Sequence, residues 1–205
     1  MNRMTSGDDA GRLASPDQLI NVVDAFISHA ACREMLEEAD RGGWIRSQVE
    51  GVFDLSELSG RKSESLILPN GFNQRTTYWL RLVEADLANL LCVNLRCLEP
   101  WQMIRYRKGG SYDYHLDCGA WRNHPSGERA RTVMLILEQP KRGGATHFRA
   151  LAETVRPLAG RLVVWHNLLP NGACNHAMIH SGRPVWAGCK TILITWEREH
   201  PYIDL

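Results

Sequence analysis

Between Trp101 and Trp196 the chain breaks into short runs rich in β-branched and aromatic residues, separated by glycine, proline and polar turns. The runs are Trp101–Tyr106, Tyr112–Asp117, Thr132–Leu137, Thr146–Phe148, Arg161–Trp165, Ala177–His180 and Thr191–Trp196. No helical period lies between them. Strands this short and this closely spaced indicate a sandwich or barrel. A chain of 205 residues is long enough for one such domain with a sizeable core.

The N-terminal half reads differently. Residues 1–16 are polar and are expected to form a flexible tail, leaving 17–205 as a single domain. Leu19–Ile27 reads as a short strand entering a turn. Ser28 can cap a helix running to about Asp40, with Cys32, Met35, Leu36 and Ala39 as its apolar stripe and Gly42 and Gly43 as its stop. Trp44–Val52 reads as a strand, and 54–73 as a loop without period. A second helix is expected over Gln74–Leu91, carrying Trp79, Leu82, Val83, Leu87 and Leu90 on one side. The expected fold class is therefore mainly β with flanking α: a jelly-roll barrel buttressed by two N-terminal helices.

Composition narrows the partners. A net charge of +1 gives no electrostatic reason to expect nucleic acid or an anionic membrane. No apolar run approaches the roughly 20 residues that span a bilayer, and no apolar segment follows Arg3 as a secretory signal requires. The expected location is cytoplasmic. The cysteines, Cys32, Cys92, Cys97, Cys118, Cys174 and Cys189, are then expected to be reduced thiols, and none forms a Cys-x-x-Cys zinc pair.

The chemistry concentrates in two segments. His115 and Asp117 are two residues apart, and in an extended strand such residues share a face. A third ligand is offered by His180, followed ten positions later by Lys190. Two imidazoles and one carboxylate on one side of an iron(II) ion leave three positions open, which suits oxygen chemistry. Lys190 would then meet an acidic cosubstrate. His176, four residues before His180, lacks the helix a zinc pair would need, because Gly182 and Pro184 follow. His147 and His166 are read as non-ligands.

With these residues in place, the sequence resembles the iron(II)- and 2-oxoglutarate-dependent dioxygenases, in particular their prolyl 4-hydroxylase-like branch. The matching segments are Arg105-Tyr106, Gly109 and Tyr112 before His115-Leu-Asp117, then Arg129-Ala-Arg-Thr132. Gly143-Gly144 with Thr146 and Phe148, Gly160–Trp165, His180–Val185, Gly188, Lys190 and Trp196 complete the order. The likeness is clear over about 98–198, which would be the iron-binding core. It implies a double-stranded β-helix with His115, Asp117 and His180 as iron ligands and Lys190 on the distal carboxylate of 2-oxoglutarate. It also places Tyr106, Thr132 and Trp196 beside that cosubstrate and Tyr112 at the substrate mouth. Two departures stand out: Ala145 where the family often has glutamate, and Ile136 where tyrosine is frequent.

The implied reaction consumes dioxygen, releases succinate and carbon dioxide, and hydroxylates an aliphatic C–H of an amino-acid-type substrate, with a prolyl unit as one candidate. The substrate could be free or peptidyl, with Arg122 and Arg198 as candidate partners for an acidic group on it. Rival readings are a tailoring oxygenase of a free amino acid or small metabolite, a non-catalytic metal-binding protein, and a nucleic-acid demethylase. A structural zinc site has no use for Lys190. The near-neutral charge weighs against nucleic acid. Residues 54–73 and Gly119–Glu128 are expected to shape specificity, as loops at a barrel mouth do.

Overall fold

The structure, a computed structural model, describes residues 15–47, 60–67 and 71–204. Most of the expected tail, and the expected strand beyond Ser47, lie outside those residues. In chain order the elements are β1 (Ile20–Val23), α1 (His29–Ala39), β2 (Gly43–Arg46), β3 (Arg61–Lys62), β4 (Glu64–Ile67) and α2 (Gln74–Leu91). Then follow β5 (Gln102–Tyr106), β6 (Ser111–His115), β7 (Arg129–Glu138), β8 (Arg142–Gly143), β9 (Thr146–Phe148) and β10 (Glu153–Val155). The last are β11 (Leu162–His166), β12 (His180–Gly182), β13 (Val185–Ala187) and β14 (Lys190–Arg198).

All named strand pairs are antiparallel. A seven-stranded sheet in the order β1-β11-β7-β14-β5-β4-β2 faces a five-stranded sheet in the order β10-β9-β12-β6-β3. This is the jelly-roll architecture. Alternation along β7 explains the layering. Val133, Leu135 and Leu137 point to a core shared with Cys32 and Met35 of α1 and Leu80, Val83 and Leu87 of α2. Met134 and Ile136 point the other way, into the barrel, against Phe148, Trp165 and Ile192. A strand covered on both faces reads as an unbroken apolar run, as Val133–Leu137 does.

Ser28 and Asn73 cap the helices, each accepting a backbone N–H three residues on. Three expectations need correction. The buried side of α2 is Thr76, Leu80, Val83, Leu87 and Leu91, whereas Leu82 and Leu90 are 41% and 49% exposed. Residues 54–73 hold two strands, β3 and β4, which polar Arg61-Lys-Ser-Glu-Ser65 conceals. The expected strand Ala177–His180 is a 3₁₀ turn over His176–Met178, because the Asn175 side chain accepts from the Ala177 N–H; the strand begins only at His180.

Glu99 pairs with two arginines, of which Arg129 lines the barrel cavity. Arg129 donates to it through both Nε and Nη2, at 2.7 and 2.8 Å. Arg198 Nε lies 2.5 Å from Glu99 Oε1, out of line for a hydrogen bond, so that contact is ionic. All three side chains are buried. Removing this anion takes away the charge that both buried guanidiniums share. Glu99→Gln is expected to lower unfolding stability by about 3 kcal/mol, measured by urea denaturation.

Candidate active site

β6 ends on His115 and β12 begins on His180, and the two are direct partners across the antiparallel pair. Opposed residues stand side by side on one face, and here the ring centroids are 4.2 Å apart. Asp117 lies past the end of β6, so a bend rather than strand alternation returns its carboxylate to the histidines. Its Oδ1 is 3.7 Å from His115 Nε2 and its Oδ2 3.8 Å from His180 Nε2. One donor atom from each residue lies within 4.8 Å of the others.

Backbone carbonyls orient both rings. His115 Nδ1 lies 2.8 Å from the Asp113 carbonyl and His180 Nδ1 2.9 Å from that of Met178. A carbonyl only accepts, so each Nδ1 carries the proton and each Nε2 offers its lone pair. Burial, and then the neighbouring His180, push the His115 imidazole down to about 4, so it is neutral at neutral pH. Burial works against a charge on Asp117, yet His180, His115, the Thr132 hydroxyl and Arg129 together hold its carboxyl below the ordinary value. Thr132 Oγ1 donates to Asp117 Oδ2 at 2.6 Å and accepts from Asn167 Nδ2 at 2.8 Å. Two imidazoles and one ionised carboxylate, fixed from behind, fit a divalent metal ion.

The same side chains line a cavity of about 530 Å³ with Lys190, Tyr106, Tyr112, Thr146, Arg61, Trp121, Trp165 and Trp196 on its walls. Lys190 is 3% exposed and donates to Thr146 Oγ1 at 3.4 Å. Among the described residues no carboxylate pairs with it, and burial alone pushes its pKa down to about 8. An ammonium buried without a counter-ion is costly, so this one is built to meet an anion. Tyr112 stacks on His115, with centroids 3.7 Å apart and an interplanar angle of 21°.

Other expected residues fall elsewhere. Thr132 does not line the cavity; it is fully buried behind Asp117 and holds that carboxylate. Arg122 is exposed and outside the cavity lining. Arg198 is engaged with Glu99, the Gly127 carbonyl and the Trp121 ring, and does not line the cavity. Asn167 carried no signal in the sequence, because nothing marks its partner Thr132, 35 positions away. Removing its amide frees the Thr132 hydroxyl to turn from Asp117. Asn167→Ala is expected to weaken divalent-metal affinity about tenfold, measured by cobalt(II) titration.

The cysteine expectation also changes. Cys118, next to Asp117, is joined to Cys174 by a disulfide, and Cys32, Cys92, Cys97 and Cys189 are free. The spacing gave no hint, because the partners are 56 residues apart.

Known proteins resemble this chain in both sequence and fold. Residues 101–198 match the family model described as the 2OG-Fe(II) oxygenase superfamily. The chain is 28% identical over 123 residues to prolyl 4-hydroxylase subunit alpha-1 of Gallus gallus, covering 57% of this chain and 24% of that protein. It is 33% identical over 120 residues to the alpha-2 subunit of Caenorhabditis elegans, covering 56% and 22%. The chain thus spans about a quarter of the length of these curated relatives. A viral collagen prolyl hydroxylase of Paramecium bursaria Chlorella virus-1, solved with 2OG, superposes with a TM-score of 0.69 at 23% identity, over 89% of this chain and 97% of that one. A Trichoplax adhaerens prolyl hydroxylase, solved with a hypoxia inducible factor peptide fragment, gives 0.67 at 15% identity, over 89% and 84%. At these identities the structural likeness establishes the fold. Among the described residues no helix is long and apolar enough to cross a membrane.

Proposed function

We propose that this chain, whose residues 101–198 match the 2OG-Fe(II) oxygenase superfamily model, is such an oxygenase and uses iron(II), 2-oxoglutarate and dioxygen to hydroxylate an aliphatic C–H bond of an amino-acid-type substrate, a prolyl unit foremost. The observation that carries this reading is Lys190: a buried cation, unpaired among the described residues, on the wall of the cavity that holds His115, Asp117 and His180. A metal site with a purely structural role has no need of it.

In this reading His115 and His180 would hold the iron through Nε2 and Asp117 through its carboxylate, and the cavity they line would admit the reactants. When bound, iron with 2-oxoglutarate and dioxygen supplies the oxidation of an unactivated C–H bond, with succinate and carbon dioxide as co-products. Lys190 receives the distal carboxylate of the cosubstrate in a charge-assisted contact, with the Thr146 hydroxyl beside it. Tyr106 and Trp196 bound the same chamber, and Tyr112, stacked on His115, shapes the approach of the substrate. Phe148 and Trp165 pack against the His180 ring and keep water from its far side.

The test is an anaerobic mixture of the chain, iron(II) and 2-oxoglutarate, exposed to air with either proline-containing peptides or free amino acids. Succinate should form in step with a substrate product one oxygen atom heavier. Product from a peptide alone marks a peptidyl substrate, and product from a free amino acid alone marks the small-molecule reading. If no succinate forms with any substrate while the metal is bound, the proposal fails.

A further inference from the structure

The disulfide closes a ring around Asp117. Starting from that residue, the chain passes to Cys118, across the cross-link to Cys174, and on to Asn175, whose N–H donates to the Asn167 carbonyl at 2.7 Å. Asn167 Nδ2 then donates to Thr132 Oγ1, which donates to Asp117 Oδ2. Cys174 is itself seated, since it bridges Leu168 at the base of a turn closed by the Leu169 N–H on the Ala173 carbonyl at 2.8 Å. Immediately after Cys118, Gly119 adopts a φ of +106°, and a Cβ there would lie 3.7 Å from Cys174 Sγ. The left-handed turn therefore brings the backbone against the partner cysteine. On the far side the loop is held by Glu128, which accepts from the Gly119 and Trp121 N–H groups at 3.0 and 2.9 Å.

We infer that Cys118 and Cys174 position the Asp117 carboxylate through their cross-link, so that opening the cross-link weakens the metal site. This rests on the metal-binding role proposed for Asp117. Asp117 lies beyond the ladder of β6, and among the described residues no backbone hydrogen bond holds it between His115 and the Glu128 clamp. The covalent tie supplies that restraint. Each cysteine gives up one proton and one electron when the S–S bond forms, and a small-molecule disulfide such as oxidised glutathione accepts the pair and leaves as two thiols. The reverse step uses a phosphine. Phosphorus supplies two electrons to the S–S bond, and water supplies the phosphine-oxide oxygen and the two thiol protons. The metal site is thereby coupled to the thiol–disulfide state of its surroundings.

The experiment measures cobalt(II) affinity of the metal-free chain by its visible absorption, before and after phosphine treatment, with thiols counted under denaturing conditions. After incubation with oxidised glutathione and removal of the small molecules, two fewer thiols should titrate than after reduction, and reduction should weaken cobalt binding about tenfold. Cys174→Ser should show the weaker affinity whatever the treatment. Cys92→Ser, at an exposed free cysteine, should respond as the parent does. Wild type tested in both states keeps the inference open to refutation even if Cys174→Ser does not fold. An unchanged thiol count, or a changed count with unchanged cobalt affinity, overturns the positioning role alone. Cobalt affinity that Asp117→Asn leaves intact overturns the ligand assignment beneath it.

Discussion

Asp117→Asn is expected to lower kcat/KM on the order of 10⁴-fold, a loss of roughly 5–6 kcal/mol of transition-state stabilisation. The substitution keeps the shape and an acceptor for the Thr132 hydroxyl, so the local fold persists. What it removes is the anionic member of the His115–Asp117–His180 group. A divalent ion bound by neutral groups alone in a buried site is held far more weakly. Cobalt(II) titration and succinate release should fall together, while the metal-free chain stays folded at a lower melting temperature, since a carboxyl held below its ordinary value contributes stability at neutral pH. Retained succinate release would move the carboxylate ligand elsewhere.

The second large effect has opposite signs in stability and in function. Lys190→Met is expected to raise the KM for 2-oxoglutarate by about 10²- to 10³-fold, as the loss of a buried charge-assisted contact does. The same change should stabilise the ligand-free protein, because a desolvated ammonium is replaced by an apolar chain of similar length. The pH dependence follows from the lowered pKa. The Lys190 pKa is about 8 in the folded protein against 10.5 for an ordinary lysine. Between those values the unfolded chain binds more protons, so ligand-free stability should rise with pH through that window, by on the order of 3 kcal/mol. Cosubstrate capture needs the ammonium, so kcat/KM for 2-oxoglutarate should fall above about pH 8 in wild type. Lys190→Met should show neither dependence. Urea denaturation across pH and initial-rate kinetics measure the two halves separately.

How far the sequence reaches is clearest in particular residues. Strands β5, β6, β7, β9, β11 and β14 were legible because β-branched runs alternate with glycine and proline, and α2 because of its length and apolar content, whereas the two- and three-residue strands β8, β10 and β13 were too short to read. The buried side of α2 was not legible. Leu82 and Leu90 are as apolar as Leu80 and Leu91, and only the position of the sheet decides between them. His115, Asp117, His180 and Lys190 could be singled out by their spacing and order together, since His-x-Asp alone is a weak signal. The bond from Thr132 to Asp117 was not legible, because a strand threonine facing a cosubstrate and one facing a carboxylate look identical in sequence. Arg122 and Arg198 were candidates by charge alone, and charge does not reveal that Glu99 already claims Arg198. Asn167 and the Cys118–Cys174 pair depend on contacts 35 and 56 residues apart, for which local pattern carries no information.

The central claim is that one metal ion and one dicarboxylate share this cavity, anchored at opposite ends by the His115–Asp117–His180 group and by Lys190. A crystal structure with manganese(II) in place of iron and with 2-oxoglutarate tests it most directly. The account predicts one anomalous-scattering peak within coordination distance of His115 Nε2, Asp117 and His180 Nε2, and a distal carboxylate oxygen hydrogen-bonded to Lys190 Nζ. A metal peak away from those three side chains, or a cosubstrate whose distal carboxylate avoids Lys190, would contradict it.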